Sequence, residues 1–82
     1  MNFKLIIMPQ ATKDLSRMPS RDAERAIKRL EALRAGIRGN VKRLKDFTPM
    51  YRLRVGDYRA LFDLEGATIL VRRVLHRKDA YE

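Results

Sequence analysis

The chain has 82 residues, of which 45% are hydrophobic and 35% are charged, so it can bury a core and is not a disordered segment. Nineteen Lys and Arg against ten Asp and Glu give a formal net charge of +9, which points to an anionic partner. The absence of Cys excludes a disulfide framework, a thiol nucleophile and a Cys-based zinc site. We therefore expect one domain over residues 1–82, located in the reducing cytoplasm and without a membrane span.

The first half of the chain predicts one strand followed by two helices. Residues 3–8 form a short apolar run that is stopped by Pro9, which is typical of a strand. Residues 11–18 place apolar side chains at helical spacing before Pro19, and Ser20 is positioned to cap a second helix. The apolar stripe of this second helix consists of Ala23, Ala26, Ile27, Leu30 and Leu33.

The second half predicts three strands joined by two tight turns. Apolar and polar residues alternate over residues 50–55 and 58–64, and residues 67–75 are apolar on both faces, which indicates a central strand. Gly56-Asp57 and Glu65-Gly66 are the turns, and a small extra strand is expected at residues 43–47. The predicted fold is α+β, in the order β-α-α-β-β-β, with an antiparallel twisted sheet and a helical hairpin packed on one of its faces.

Three arginines of the predicted hairpin fall on one face of the sheet. Arg52 and Arg54 are two residues apart on one strand, and pairing around the Gly56 turn brings Arg59 beside them. Arg can hold a phosphate through two parallel hydrogen bonds, so the group could form a phosphate site. It could equally be the solvated outer face of a half-buried sheet, and spacing alone leaves both interpretations open.

The segment after the last predicted strand carries a second group of candidate functional residues. His76 is the only histidine of the chain, a residue type suited to proton transfer near neutral pH, and Arg77 and Lys78 follow it. Tyr81, among these cations, could have a lowered pKa because its phenolate would be paired. A histidine at a strand end and a tyrosine near a chain end are also common structural residues, so a packing role stays open.

Other sites that bind metals or nucleotides find no support in the sequence. One His and no Cys exclude a conventional zinc site, and there is no Gly-rich phosphate loop. The Gly and aromatic motif of an RNA recognition domain is absent as well. Asp57 and Asp63 lie among arginines and are interpreted as partners in ion pairs. We expect no metal and no cofactor.

Residues 44–81 carry a family resemblance. The stretch "YRLRVGDYR" at residues 51–59, a hydrophobic strand and "HRKDAY" at residues 76–81 together resemble the RelE/ParE superfamily of bacterial type II toxin–antitoxin modules. The first half agrees more loosely, through one strand and through Ala11 and Asp14-Leu15 at the start of a helical hairpin. The resemblance implies the same compact fold that the periodicity predicts.

Members of the RelE branch of this superfamily are ribosome-dependent endoribonucleases. The resemblance of this sequence to that branch implies roles for particular residues. The residues in the positions of the family's catalytic set are Arg52, Arg54, Arg59, Arg77 and Tyr81. The third-strand pair is Arg here where Lys is often found, so these positions should act as electrostatic clamps because Arg is almost never deprotonated. His76 is kept as a further candidate. The flanking cations expected to contact substrate are Lys45, Arg43 and Lys78.

The resemblance also implies partners and alternatives. A cognate antitoxin would bind an apolar groove beside the helical hairpin and could displace the tail at residues 78–82, while the ribosome and mRNA would be the other partners. The ParE branch poisons DNA gyrase without catalysis and generally lacks the basic residues and tyrosine that this sequence keeps, although basic residues in this region also occur in gyrase-directed relatives. A third interpretation is a general RNA-binding module without catalytic activity.

Overall fold

Five strands and two helices make up the fold in a computed structural model that describes residues 2–45, 49 and 51–80. In chain order the elements are β1 (Lys4–Ile7), α1 (Pro9–Ser16), α2 (Ser20–Ala32), β2 (Val41–Arg43), β3 (Tyr51–Val55), β4 (Tyr58–Glu65) and β5 (Thr68–His76). A single 3₁₀ turn, Leu33–Ala35, extends α2. The predicted α+β class is confirmed, and so is the order of a strand, two helices and a run of strands.

The sheet formed by these strands has the spatial order β1-β5-β4-β3-β2. The last four strands pair in antiparallel fashion, as expected, but β1 lies parallel to β5, with Leu5 opposite Ile69. The sheet is therefore mixed rather than antiparallel throughout. Alternation determines which face a strand buries but not its direction, and the direction of β1 follows from the helices that carry the chain to the opposite edge of the sheet.

The strand boundaries differ little from the predicted ones. The extra strand forms at Val41–Arg43 rather than at residues 43–47, of which residues 46 and 47 lie outside the described part of the chain, as does residue 50. The β3–β4 turn has Gly56 at a φ of 58°, and the β4–β5 turn has Gly66 at 59°. Both values lie in the left-handed region, which explains glycine at these two positions.

Prolines determine where both helices begin. α1 starts at Pro9, two residues earlier than predicted, because the fixed φ of proline suits the first turn of a helix. Ser20 is the first residue of α2 and not its cap. Pro19 occupies the cap position, and its carbonyl accepts a hydrogen bond from the Ala23 N–H at 3.0 Å.

The core lies between one sheet face and the two helices. α1 packs against β5 and α2 against β3, and the face that they cover is called the inner face. The fully buried members of this core include Ala11, Ala26, Leu30, Leu53, Ala60, Phe62, Ile69 and Val71. Ile27 of the predicted apolar stripe is instead 40% exposed. The outer face, on the other side of the sheet, is the one left for the predicted arginine group.

Candidate functional site

The predicted strand arginines lie together on the outer face of the sheet. Residues directly opposite on neighbouring strands point to the same side, and Leu53 pairs with Ala60 on the buried inner face. Arg54 is therefore on the outer face, directly opposite Arg59. Arg52 is two residues from Arg54 and shares that face, opposite Leu61. The structure thus places these three arginines on one face of two adjacent strands, as the sequence predicted.

The three arginines differ in how they are held. Arg59 is only 3% exposed, and its Nη1 donates hydrogen bonds to the carbonyl oxygens of Gly56 and Tyr58, each at 3.0 Å. Its guanidinium is therefore fixed against the β3–β4 turn. Arg52 is half-buried and Arg54 is exposed. A ligand that approaches the outer face would meet the exposed Arg54 side chain directly, whereas the Arg59 side chain is buried and held by the turn.

The register of β2 places Lys42 on the outer face and Arg43 on the inner one. Lys42 pairs with Arg52, whereas Arg43 pairs with Tyr51, whose ring stacks on Phe62 with 5.3 Å between ring centroids. Arg43, predicted to contact substrate, therefore does not face the arginine group, and Lys42 does. Sequence reasoning missed Lys42 because a three-residue strand offers too little alternation to fix its register. Lys45, also predicted to contact substrate, is exposed in the turn after β2.

His76 lies on the inner face, away from the arginine group. It is opposite Tyr58 on β4, and the two rings meet edge to face with 5.4 Å between their centroids. Its Nδ1 accepts a hydrogen bond from the Lys78 N–H at 3.2 Å. These contacts pack the end of β5 and hold the turn that follows it.

Arg77 joins the end of β5 to the β3–β4 turn. Its backbone N–H donates to the Asp57 carbonyl oxygen at 2.7 Å, so its backbone lies beside the turn on which Arg59 is anchored. Arg77 and Lys78 are both exposed. Tyr81, the last member of the predicted catalytic set, lies outside the described residues. Of the predicted catalytic set, the structure brings Arg54, Arg59 and the Arg77 backbone to one end of the sheet.

Two other arginines of β5 are engaged by carboxylates. Arg72 Nε donates to Asp63 Oδ2 at 3.0 Å, which confirms the predicted ion-pair role of Asp63. Asp57 makes no ion pair with a described residue and uses its backbone carbonyl instead. Arg73 donates two hydrogen bonds to Asp14 on α1, at 2.8 and 3.1 Å.

Asp14 is the described carboxylate whose titration is perturbed by this packing. Although burial alone would raise its pKa, the hydrogen bonds from Arg73 and from the Val74 N–H outweigh burial and hold the pKa below its ordinary value. No three His, Asp or Glu side chains come together as a metal-binding group in the part of the chain that the structure describes. None of the described helices is long and apolar enough to span a membrane.

Comparisons with known proteins match this chain to a family of toxins. Residues 5–81 match a family described as the ParE toxin of the type II toxin–antitoxin system parDE. The chain is 32% identical over 85 aligned positions to Toxin RelE3 of Methanocaldococcus jannaschii, an alignment that covers 98% of this chain and 97% of that protein.

Solved structures of toxin–antitoxin complexes contain similar chains. One chain of the RelB–RelE antitoxin–toxin complex from Methanococcus jannaschii is 31% identical with a TM-score of 0.75, covering 89% of this chain and 91% of that one. A chain of the RelBE2 complex from Mycobacterium tuberculosis shares the fold, with a TM-score of 0.81 at 22% identity over 94% of this chain and 100% of that one. Family match, curated relative and fold agree: this chain belongs to the RelE/ParE superfamily, the toxins of type II toxin–antitoxin modules.

Proposed function

We propose that this toxin is an endoribonuclease that cuts mRNA on the ribosome. The observation that carries the proposal is the direct cross-strand pairing of Arg54 with Arg59, with Arg52 on the same face. Like charges directly opposite one another destabilise a sheet, so this pair is better explained by a bound anion than by stability. The 32% sequence identity to Toxin RelE3 favours assignment of this chain to the RelE branch.

The proposed chemistry uses the nucleophile that RNA already carries. The 2′-oxygen attacks the adjacent phosphorus, and a bond from the 2′-oxygen to phosphorus forms as the bond to the 5′-oxygen breaks. A base takes the 2′ proton, an acid returns a proton to the departing 5′-oxygen, and cations neutralise the pentacoordinate phosphate. The products are a 2′,3′-cyclic phosphate and a 5′-hydroxyl.

The roles within this chemistry follow from position and from the family pattern. Arg52, Arg54 and Arg59 neutralise the phosphate, because they share the outer face. Arg77, beside the same turn, is assigned to stabilise the negative charge on the leaving 5′-oxygen, which takes its proton from solvent water, and Tyr81 is assigned as the base from its place in the sequence. His76 packs on the inner face, so the proposal gives it a supporting role for the β5 end rather than proton transfer.

A ribosome would supply the substrate geometry that these groups need. Arg is a poor proton donor because it is effectively always charged, so the site lacks a strong acid–base pair. Such a site depends on a substrate that is held with its 2′-oxygen in line with the leaving oxygen. The ribosome holds mRNA in a fixed position on which the toxin can impose this geometry, so the proposal includes the ribosome as a partner of this toxin.

The proposal includes a cognate antitoxin that neutralises the toxin in the cytoplasm. Similar solved chains come from complexes with RelB antitoxins, and a net charge of +9 favours an acidic binding segment. Expression of the toxin alone should inhibit growth, and co-expression with the product of a small neighbouring gene should relieve the inhibition. Unimpaired growth on expression of soluble, folded toxin would contradict this part of the proposal.

The decisive experiment is cleavage of ribosome-bound mRNA by purified toxin. Wild type should cut and leave 2′,3′-cyclic phosphate ends, whereas Arg77→Ala and Tyr81→Phe should cut far more slowly. Lys4→Gln, which removes one charge at the other end of the sheet, is the control. Near wild-type cutting by both site variants would refute the assigned roles, and no cutting by wild type would refute the nuclease.

The second candidate is a ParE-like gyrase inhibitor without nuclease activity. The observation in its favour is the match of residues 5–81 to the ParE toxin family. A DNA gyrase supercoiling assay on the same preparations separates the two functions. Inhibition of supercoiling without RNA cleavage would establish this candidate and reject the first.

A further inference from the structure

An arginine of α2 reaches the turn at which the predicted site residues meet. A Cβ built on Gly56 would lie 3.5 Å from one terminal guanidinium nitrogen of Arg25 and 3.7 Å from the other. The guanidinium therefore lies against the backbone of the β3–β4 turn. At the same turn, the carbonyl oxygen of Gly56 accepts a hydrogen bond from Arg59 Nη1 at 3.0 Å. Two guanidinium groups, one from α2 and one from β4, thus lie at the same turn.

No acidic side chain among the described residues accounts for the position of Arg25. It is exposed and makes no ion pair with any of residues 2–45, 49 and 51–80. Asp57, which follows the turn glycine, does not come within ion-pair distance of Arg25. In contrast, Arg72 and Arg73 of β5 are both engaged by carboxylates. The Arg25 guanidinium has five N–H donors, and no described carboxylate pairs with it, so its donors are available to an anion.

We propose that Arg25 binds a second backbone phosphate of the RNA substrate, next to the phosphate held by the outer-face arginines. This inference rests on the proposed function, because the anion it names is the RNA backbone. The outer face presents Arg54, opposite the buried Arg59, on one side of the β3–β4 turn, and Arg25 approaches the turn from the helix side. An RNA strand that crosses the turn would meet both groups in succession.

RNA fits this arrangement better than a single carboxylate does. Backbone phosphates recur along the strand, so one chain can satisfy separate cationic groups on the two sides of a turn. The guanidinium also holds phosphate oxygens through two parallel hydrogen bonds. Gly56 has no side chain, which leaves the approach to the turn open. Arg25 is thus a binding residue for RNA and takes no part in proton transfer.

Salt dependence of RNA binding tests this contact without requiring catalysis. The probe is a single-stranded 2′-O-methyl RNA oligonucleotide, which has phosphates but cannot supply a 2′-hydroxyl for cleavage. Each lost phosphate contact lowers the magnitude of the slope of log K against log salt by about 0.7. Arg25→Gln should show this reduction relative to wild type. Arg25→Lys, which keeps the charge, should retain most of the slope.

Lys4→Gln is the matched control, because it removes the same single charge at the end of the sheet remote from Gly56, opposite Thr68. It should leave the slope unchanged. Equal slopes for Arg25→Gln and Lys4→Gln would overturn the inference, as would a wild-type slope of zero. An Arg25→Gln variant that loses affinity only for an antitoxin would overturn it as well. If wild type cuts no mRNA yet shows the expected slopes, the nuclease proposal fails and the phosphate contact stands.

Discussion

At the residue scale, two of the three outer-face arginines have different roles: Arg59 is built into the fold, and Arg54 is available to a ligand. Arg59 is 3% exposed and bonds two backbone carbonyls, so its loss would disturb the turn as well as the charge. Arg54 is exposed and makes no ion pair with a described residue. Mutation of Arg54 therefore reports on function with the least effect on folding.

We predict that Arg54→Ala lowers the rate of ribosome-dependent cleavage by about 10²-fold, because removal of one group that stabilises transition-state charge has about this effect. The thermal midpoint of unfolding should stay within error of wild type, since substitution of an exposed side chain costs little. Single-turnover cleavage and circular dichroism measure the two quantities, with Lys4→Gln as the charge control. A variant that unfolds earlier and cuts normally would reverse this assignment.

The two turn glycines provide a matched pair for backbone strain. Gly56 and Gly66 have nearly the same positive φ, 58° and 59°, so alanine at either position should cost about 1–2 kcal/mol of unfolding free energy. The Arg25 guanidinium lies at ordinary contact distance from a Cβ at Gly56 and adds little to this cost. Urea unfolding measures both variants. A much larger loss for Gly56→Ala would mean that the Arg25 side chain cannot yield.

At the scale of elements, Asp14 completes the edge of β5 where β1 ends. β1 pairs with β5 only as far as Ile7 opposite Val71, which leaves the later part of β5 without a strand on that side. The Asp14 carboxylate, 7% exposed, accepts a hydrogen bond from the Val74 N–H at 2.9 Å and the pair from Arg73. A side chain of α1 thus supplies the acceptor that a strand would otherwise provide.

We predict that Asp14→Ala lowers the free energy of unfolding by about 1–3 kcal/mol, mainly because it leaves a buried N–H without an acceptor. The Arg73 charge adds little, since its side chain is 40% exposed. Asp14→Asn keeps one acceptor oxygen and should lose less. Chemical denaturation at neutral pH orders the three proteins, and an asparagine variant as unstable as the alanine variant would show that the ion pair matters more than the N–H.

The same carboxylate gives a pH dependence with a defined sign. Because the folded-state pKa of Asp14 is depressed, its stabilising contribution is complete above its ordinary value of 3.8 and is lost as pH falls through the lower folded value. The free energy of unfolding of wild type should therefore exceed that of Asp14→Asn by a constant amount from neutral pH to about pH 5, and this difference should shrink below pH 4. Unfolding curves measured from pH 7 to pH 3 give this difference between the two proteins. A difference that stays constant over the whole range would show that the ionised carboxylate is not the stabilising form.

At the scale of the whole molecule, the net charge of +9 opposes folding and favours anionic partners. Asp63 and Glu65, two acidic residues of β4, are both paired with Arg72. The excess of positive charge therefore remains available on the surface. Salt should screen both the repulsion between the chain's own charges and its attraction to anionic partners. Added salt should therefore raise the stability of the fold and lower the affinity for those partners.

We predict that the thermal midpoint rises as sodium chloride increases from about 0.01 M to about 0.15 M, over which the Debye length falls from about 30 Å to about 8 Å. RNA affinity should fall over the same range. A triple variant, Lys4→Gln, Lys13→Gln and Lys28→Gln, removes three exposed charges and should show a smaller rise. Calorimetry checks the midpoints, and an equal rise in both proteins would assign the effect to something other than net charge.

The sequence by itself determined the local structure and the make-up of the arginine group. Alternation placed Arg52 and Arg54 on one face, and the Gly56 turn brought Arg59 opposite to them, because side-chain period and turn geometry depend on residues close in sequence. The strand–helix–helix order was predicted for the same reason.

Only the tertiary structure decided which distant parts of the chain meet. The parallel direction of β1, the outward register of Lys42 and the inner-face position of His76 each depend on packing between elements. The contact of Arg25 with Gly56 joins residues 31 positions apart, and no local pattern encodes it. Such contacts arise when one apolar core is buried as a whole, since that burial selects the register and direction of every element at once.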